Sequence, residues 1–347
     1  MTQTNDTIRT RSVKDCYICG TQGELLYQDL TDRIFSAPGE WTLKKCPNLE
    51  CGLVWLDPMP LKEDIAVAYY NYYTHSESSY ISDSFLQRVY CSAREGYLAR
   101  KYGYKSEVIP VWKKLLGMLL YIHPGGRAQT DSSVMYLPAD TEGLLLDVGC
   151  GSGEFLKRME EMGYQVEGTE VDSCAVENAR SKGLQVRLGT VEELLYPDNY
   201  FGVIVMSHVI EHVHDPTELL KECYRILKPG GKLVLVTPNV SSLMHRFFGP
   251  SWPALDPPRH LYIFNPPSLR RLVEEANFEG LRIHTTILGT RWLFQASQSI
   301  RHSGKYIWQS QQPIGLRILS RAVELAESLM LKLSPSLGEE ISLVGEK

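Results

Sequence analysis

From residue 143 onward, short unbroken apolar runs alternate with stretches in which apolar residues recur every three or four positions. That rhythm predicts strand followed by helix, repeated. Leu144, Leu145 and Leu146 run into Asp147 and then into the glycines Gly149, Gly151 and Gly153. Behind them Phe155, Leu156, Met159 and Met162 share one helical face, which stops at Gly163. The same pattern predicts strands over 165–170, 184–188, 201–206 and 233–236, with helices opened by Asp172 or Ser173 and by Pro216. The run 201–206 is apolar throughout, as a central parallel strand buried on both faces requires. Further strands are expected over 281–287 and 341–344, and a helix over 269–276 capped by Asn265-Pro266-Pro267. The alternation implies a doubly wound α/β sheet whose ligands sit at the carboxyl ends of its strands.

The flanks have other patterns. Residues 1–60 hold two cysteine pairs among short strand-like segments. Residues 61–140 read as a helical linker or lid rich in tyrosine (Tyr69, Tyr70, Tyr72, Tyr73), with 141–347 as the core. Rings with hydroxyls suit a site that is half apolar and half polar, so Tyr70 and Tyr73 are candidates to close over a ligand. An insert over about 290–338 precedes the last strand. Its helix places Ile318, Ala322, Leu325, Leu329 and Leu333 opposite Arg317, Arg321, Glu324 and Lys332. That apolar face is expected to pack on its own domain, with dimerisation or peripheral membrane contact as the minority readings, and its mixed charge argues against the membrane.

Composition changes this picture little. The chain has 347 residues, a formal charge of -5 and a sequence pI near 6.0. Nothing in that balance suggests the basic surface typical of nucleic-acid binders. The first fifteen residues are polar and no apolar run reaches membrane-span length, which predicts a cytoplasmic protein without a transmembrane segment, as monomer or homodimer.

The cysteines do change it. Cys16 and Cys19 form C-x-x-C, and Cys46 and Cys51 form C-x4-C, each pair beside a glycine, Gly20 or Gly52, that permits a tight turn. Thiolates converging from two such turns make a tetrahedral zinc site. No thioredoxin-like strand and helix surround the first pair, and a cytosolic compartment disfavours disulfides. Cys91, Cys150, Cys174 and Cys223 stand alone.

The glycine order D-x-G-x-G-x-G, with no lysine after it, matches neither the dinucleotide fingerprint nor the phosphate loop. Glycines let a ligand lie on the backbone, and the helix start near Glu154 offers N–H groups to a carboxylate, which suits an amino-acid zwitterion. This stretch resembles motif I of the class I S-adenosylmethionine (SAM) methyltransferases. Glu170 ends the second strand 23 positions after Asp147, where a carboxylate can accept from both ribose hydroxyls, and Leu227-Lys228-Pro229-Gly230-Gly231-Lys232-Leu233 resembles that superfamily's turn before its fifth strand. The resemblance implies a seven-stranded, doubly wound, Rossmann-like sheet with an antiparallel last strand, carrying here a small N-terminal zinc ribbon and helical additions. It also implies SAM on Asp147, Gly149, Cys150, Gly151, Gly153, Glu170, Val171, Thr190, Val191 and Ser207. One departure is Gly202, where the family usually has an acid.

The fourth strand runs into Ser207-His208-Val209-Ile210-Glu211-His212. A sulfonium methyl is already electrophilic, so the protein has to align an acceptor and take its proton. His212, oriented by Glu211, is the expected base, with His208 and His260 as alternatives; the Glu-His pair also fits a role in shaping the cofactor pocket. The nucleobase-methylating motif is missing at this strand end. The order of cysteine knuckle, Tyr-rich segment, SAM core, Thr237-Pro238-Asn239 and Pro258-Arg259-His260-Leu261 resembles bacterial polysaccharide and deoxysugar methyltransferases. It implies a sugar-like acceptor or glycan precursor. The competing readings are an O-methyltransferase of quinones, lipids or other small molecules, and a zinc-ribbon protein acting on RNA.

Overall fold

The structure is a computed structural model that describes residues 7–70, 85–104, 109–308 and 310–347. In chain order, the N-terminal region supplies β1 (Thr10–Arg11), β2 (Glu24–Leu30), β3 (Trp41–Lys45), β4 (Val54–Leu56) and β5 (Met59–Pro60). Helices α1 (Phe85–Tyr102), α2 (Val111–Gly117) and α3 (Pro124–Ser132) follow. The alternating region gives β6 (Leu145–Val148), α4 (Glu154–Glu161), β7 (Val166–Glu170), α5 (Ser173–Ser181), β8 (Val186–Leu188), β9 (Phe201–Ser207), α6 (Pro216–Ile226) and β10 (Leu227–Pro238). Then come α7 (Leu243–Phe248), β11 (Tyr262–Ile263), α8 (Pro266–Glu275), β12 (Glu279–Thr286), α9 (Thr290–Ser303), α10 (Ile314–Met330) and β13 (Glu340–Glu346).

The main sheet has seven strands in the order β12-β13-β10-β9-β6-β7-β8. β6 pairs in parallel with β7 and β9, and β7 with β8, as right-handed strand–helix–strand units dictate. The Lys347 N–H donates to the Gly231 carbonyl while the Gly230 N–H donates to that of Lys347. Such an exchange between the start of one strand and the end of another marks β13 as antiparallel to β10. The Lys228–Gly231 segment, expected as a turn, is therefore the exposed beginning of a long strand held by the chain end. Gly202 has a steric cause: a Cβ there would lie 2.2 Å from the Glu142 carbonyl oxygen.

The chain forms two compact units. The first takes residues 1–73, 208–220 and 235–343, and the second 74–207, 221–234 and 344–347. In the first, the cysteine region is not closed on itself: its four-stranded sheet has the order β11-β4-β3-β2, so the long loop after β10 supplies the fourth strand. Tyr262 pairs with Trp55 and Ile263 with Val54. Asn265 caps α8 with a full capping box, as expected of Asn265-Pro266-Pro267. In the second unit the alternating apolar residues form a core that includes Leu145, Leu146, Leu156, Met159, Ala175, Val203 and Val205, all fully buried.

The insert before β13 overturns its expectation. It holds two helices, and α10 turns its polar side inward: Ser320, Glu324 and Glu327 are buried, whereas Ile318, Leu325, Leu329 and Leu333 are more than half exposed. The α9 contacts explain this, since Gln295 donates to the Ser320 hydroxyl (2.7 Å), Arg291 pairs with Glu324 (3.1 Å) and the Thr290 hydroxyl donates to Glu327 (2.7 Å). Among the described residues no helix is long and apolar enough to cross a membrane.

Candidate functional site

The glycine turn and its acid lie in the second unit. The N–H groups of Gly149 and Cys150 both donate to the Thr169 carbonyl of β7, at 2.8 and 3.0 Å, which folds the turn over the sheet edge. Gly153 starts α4 with φ +79, and a Cβ there would come within 2.4 Å of Leu184 Cδ1, so helix and sheet approach only because it is glycine. Gly151 differs: a Cβ there would meet no atom within 4 Å, which leaves open space above the turn for a ligand. Glu170, at the end of β7, is buried, and its Oε2 accepts the Gly151 N–H (2.9 Å) while its Oε1 accepts those of Val171 and Asp172 (2.7 and 3.0 Å). Three backbone donors thus fix the carboxylate, and of its roughly four acceptor sites the one left open is on Oε2. Burial, and then the neighbouring Glu170 charge, push the Asp147 carboxyl well above the usual carboxylate range. Of the other expected cofactor residues, Val171 and Ser207 are exposed and Thr190 is half-buried. Val191 is buried, so it offers a ligand its backbone alone. Tyr70, in the first unit, is 67% exposed, and Tyr73 lies outside the described residues.

The first unit gathers the histidines. After β9 the chain makes a short helical turn, Ile210–His212, with His208 just before it at φ +55. Glu211 is fully buried and was expected to orient His212. Its oxygens instead lie 3.2 Å from His208 Nδ1 and 3.0 Å from the donating Thr237 hydroxyl. The physical reason is spacing: adjacent side chains on a helical turn diverge, whereas positions three apart meet. His208 Nε2 also lies 3.3 Å from Glu340. Burial lowers the affinity of His208 for its proton, but the bonds to Glu211 and Glu340 outweigh it and hold its pKa well above the ordinary value. His208 therefore holds its proton more tightly than an ordinary histidine, which makes it a poorer base than His212.

His212 is oriented by groups other than Glu211. Its Nδ1 lies 3.0 Å from the Arg259 carbonyl and 2.9 Å from the Tyr69 hydroxyl. A carbonyl can only accept, so the proton sits on Nδ1 and Nε2 keeps its lone pair. Burial, then the adjacent His260, lower the His212 pKa to about 4, leaving a neutral ring. His260 stands edge-on to it, with centroids 4.7 Å apart, and donates from Nδ1 to the Ala254 carbonyl at 2.8 Å. Donor atoms of Glu211, His212 and His260 all lie within 4.8 Å of one another, a separation that also suits a bound cation.

Arg259 holds this loop. Fully buried, it reaches Asp32 (2.8 Å), both oxygens of Asp256 and the Ala68 carbonyl (2.9 Å). The backbone acceptor that sets the His212 tautomer is thereby locked in place. The DPPRH run of the sequence hinted at the loop, but the partner Asp32 is 227 positions away and Tyr69 had been grouped with a lid. Neither had a local signal.

The four cysteines converge. Cys16 and Cys51 sulfurs lie 3.6 Å apart and those of Cys19 and Cys46 3.4 Å, with all four within 4.8 Å. Disulfide sulfurs would be about 2 Å apart, whereas the edge of a tetrahedral zinc–thiolate site is roughly 3.8 Å from its 2.3 Å bonds. Both knuckles have the expected glycine at positive φ, Gly20 and Gly52, and the Gly20 N–H returns to the Cys16 carbonyl.

A family model described as a methyltransferase domain matches residues 127–283. A probable S-adenosylmethionine-dependent methyltransferase of Mycolicibacterium smegmatis is 30% identical over 165 residues, which is 47% of this chain and 61% of that protein. The ubiquinone biosynthesis O-methyltransferase of Caulobacter vibrioides is 40% identical over 111 residues, 29% of this chain and 43% of that one. The chain thus spans about half the length of these relatives. A solved S-adenosylmethionine-dependent methyltransferase from Mesorhizobium loti aligns with a TM-score of 0.44 and 16% identity over 63% of this chain and 98% of its own. The matched segment, residues 127–283, contains the glycine turn, Glu170 and the histidines, so it is this part of the chain that is similar to a methyltransferase domain.

Proposed function

We propose that the chain transfers a methyl group from SAM to a small acceptor and that His212 takes the acceptor's proton. The observation that carries this is the neutral His212 ring, with its proton fixed on Nδ1 and no hydrogen-bond partner for Nε2 among the described residues, on the segment that follows the fourth strand in sequence. SAM supplies an electrophilic methyl carbon. The open space over Gly151 and the fixed Glu170 carboxylate fit its amino-acid and ribose parts. His212 Nε2 accepts the proton as the acceptor's nucleophile forms its bond to the methyl carbon, and the sulfonium electron pair returns to sulfur. Cys16, Cys19, Cys46 and Cys51 hold one zinc ion in this reading, as a structural staple with all four positions filled.

For the acceptor, the order of knuckle, SAM core and Pro258-Arg259-His260-Leu261 favours a sugar or glycan precursor. The ubiquinone O-methyltransferases among the relatives favour a hydroxylated quinone as the second reading. Labelled methyl transfer from SAM to a panel of nucleotide sugars, lipid-linked glycans and hydroxyquinones decides between them. Label on a sugar supports the first and label on a quinone the second. Transfer to neither, by protein that binds SAM, rejects both acceptors.

A further inference from the structure

A helix that buries polar side chains and exposes its apolar ones has a face built for something else. On α10 and just after it, Ile314, Ile318, Leu319, Leu325, Leu329, Met330 and Leu333 are exposed, the last at 87%. Polar contacts to α9 hold the opposite side. The charges of the insert are sorted in the same way. Between 290 and 338, among the described residues, the exposed charged side chains are Arg301, Lys305, Arg317, Arg321 and Lys332, all basic. Both acids of the insert, Glu324 and Glu327, are buried against α9. An acidic chain of net charge -5 thus presents an apolar helix face in an insert whose own exposed charges, among the described residues, are all basic.

We propose that this face docks on an anionic lipid bilayer, with α10 lying in the interface plane. Leu and Ile side chains enter the acyl boundary, while Arg317 and Arg321, about one helical turn apart, and Lys332 extend their charged ends to lipid phosphates. A second copy of the chain is a poorer occupant. A two-fold contact brings each face against itself, and the insert has no exposed carboxylate to meet the duplicated cations. The sequence reading counted Glu324 and the basic residues together as mixed charge; burial of the acid removes that objection.

The test is co-sedimentation of the full chain with vesicles of phosphatidylcholine alone and of phosphatidylcholine with phosphatidylglycerol, alongside light scattering of the free protein. It does not depend on any methyl acceptor. Binding to the anionic vesicles alone, weakened by salt, is expected. Replacing Arg317, Arg321 and Lys332 by Gln together should lower partitioning about 100-fold, roughly fivefold per basic residue near such a surface. Leu325→Glu with Leu329→Glu should abolish it. SAM affinity and melting temperature in these variants should match the parent, since the changed side chains are exposed. Absence of binding to anionic vesicles, or equal binding to neutral ones, overturns the proposal. So does a stable dimer that the leucine variant splits without any vesicle binding.

Discussion

His212 and His208 are four residues apart, and their surroundings shift their pKa values in opposite directions. His208 sits between two carboxylates, which raise its pKa. His212 meets a carbonyl, a hydroxyl and another histidine, and is neutral. If His212 is the base, turnover should stay flat through neutral pH and fall only toward pH about 4, where its pKa lies. An acid limb near the ordinary histidine value of about 6.5 would point to another base. His212→Ala should lower kcat by about 10² to 10⁴ with SAM affinity unchanged, and calorimetry beside single-turnover kinetics separates the two effects. Glu170→Ala removes the acceptor of three backbone N–H groups as well as any ribose contact. SAM affinity should drop by roughly 1 to 3 kcal/mol. Gly151→Val puts a side chain into the open space above the turn and strains a backbone held at φ +52, so it should abolish SAM binding, and a melting scan separates that loss from unfolding. The spacing of the chain revealed where Glu170 and the histidines sit. It did not reveal which atoms hold them, because the Arg259 carbonyl and the Asp32 carboxylate come from remote segments.

At the scale of elements, periodicity located nearly every strand and helix of the alternating region, because buried parallel strands and one-sided helices leave clear apolar patterns. It misjudged α10, whose pattern identifies two faces but not which one turns inward. That choice was made by hydrogen bonds from α9. One consequence is a pair of buried acids: Glu327 on α10 meets Glu339 before β13, burial pushes both carboxyls up, and the Glu339 charge raises Glu327 further. Glu339 also accepts from the Met244 N–H (3.0 Å) and from Trp252 (3.3 Å). Acids whose folded pKa exceeds the unfolded value of about 4.3 hold more protons in the folded state, so stability falls as pH rises through the folded values. His208, raised likewise, adds to the loss at high pH, whereas His212 acts oppositely and only between about pH 4 and 6.5. The melting temperature should therefore decline from about pH 6 to 9, and Glu327→Gln, which keeps a neutral hydrogen-bonding group, should flatten the decline. An unchanged slope in that variant would exclude the pair as its source.

For the whole molecule, the cysteine knuckle and the histidines belong to one unit although some 200 residues of sequence separate them. Cys46 and Cys51 lead into β4, and β4 pairs with β11 directly after Arg259 and His260. The Leu261 N–H donates to the Glu211 carbonyl at 2.8 Å, while the Leu56 N–H donates to that of Leu261 at 3.1 Å. A continuous run of backbone hydrogen bonds therefore links the thiolates to the segment that sets the His212 tautomer. Such a link was invisible in the sequence, where the ribbon read as a separate module, because strand pairing between distant segments leaves no periodic trace. The glycine turn and Glu170 lie in the other unit and share none of these bonds. If the cysteines hold zinc, metal analysis of protein never exposed to chelator should find about one ion per chain, the stoichiometry of a closed four-thiolate site. Cys46→Ser should release it. Loss of the staple frees β4, then β11, then the Arg259 loop, so turnover should fall by about 10² or more, as for loss of the base itself. SAM affinity, read by calorimetry, should remain within about twofold of the parent, since the N–H groups of Gly149, Cys150 and Gly151 in the turn donate to Thr169 and Glu170 of its own unit. If both fall together, the knuckle supports the whole fold rather than the histidine loop. If turnover survives metal loss, the strand pairing holds the loop without zinc.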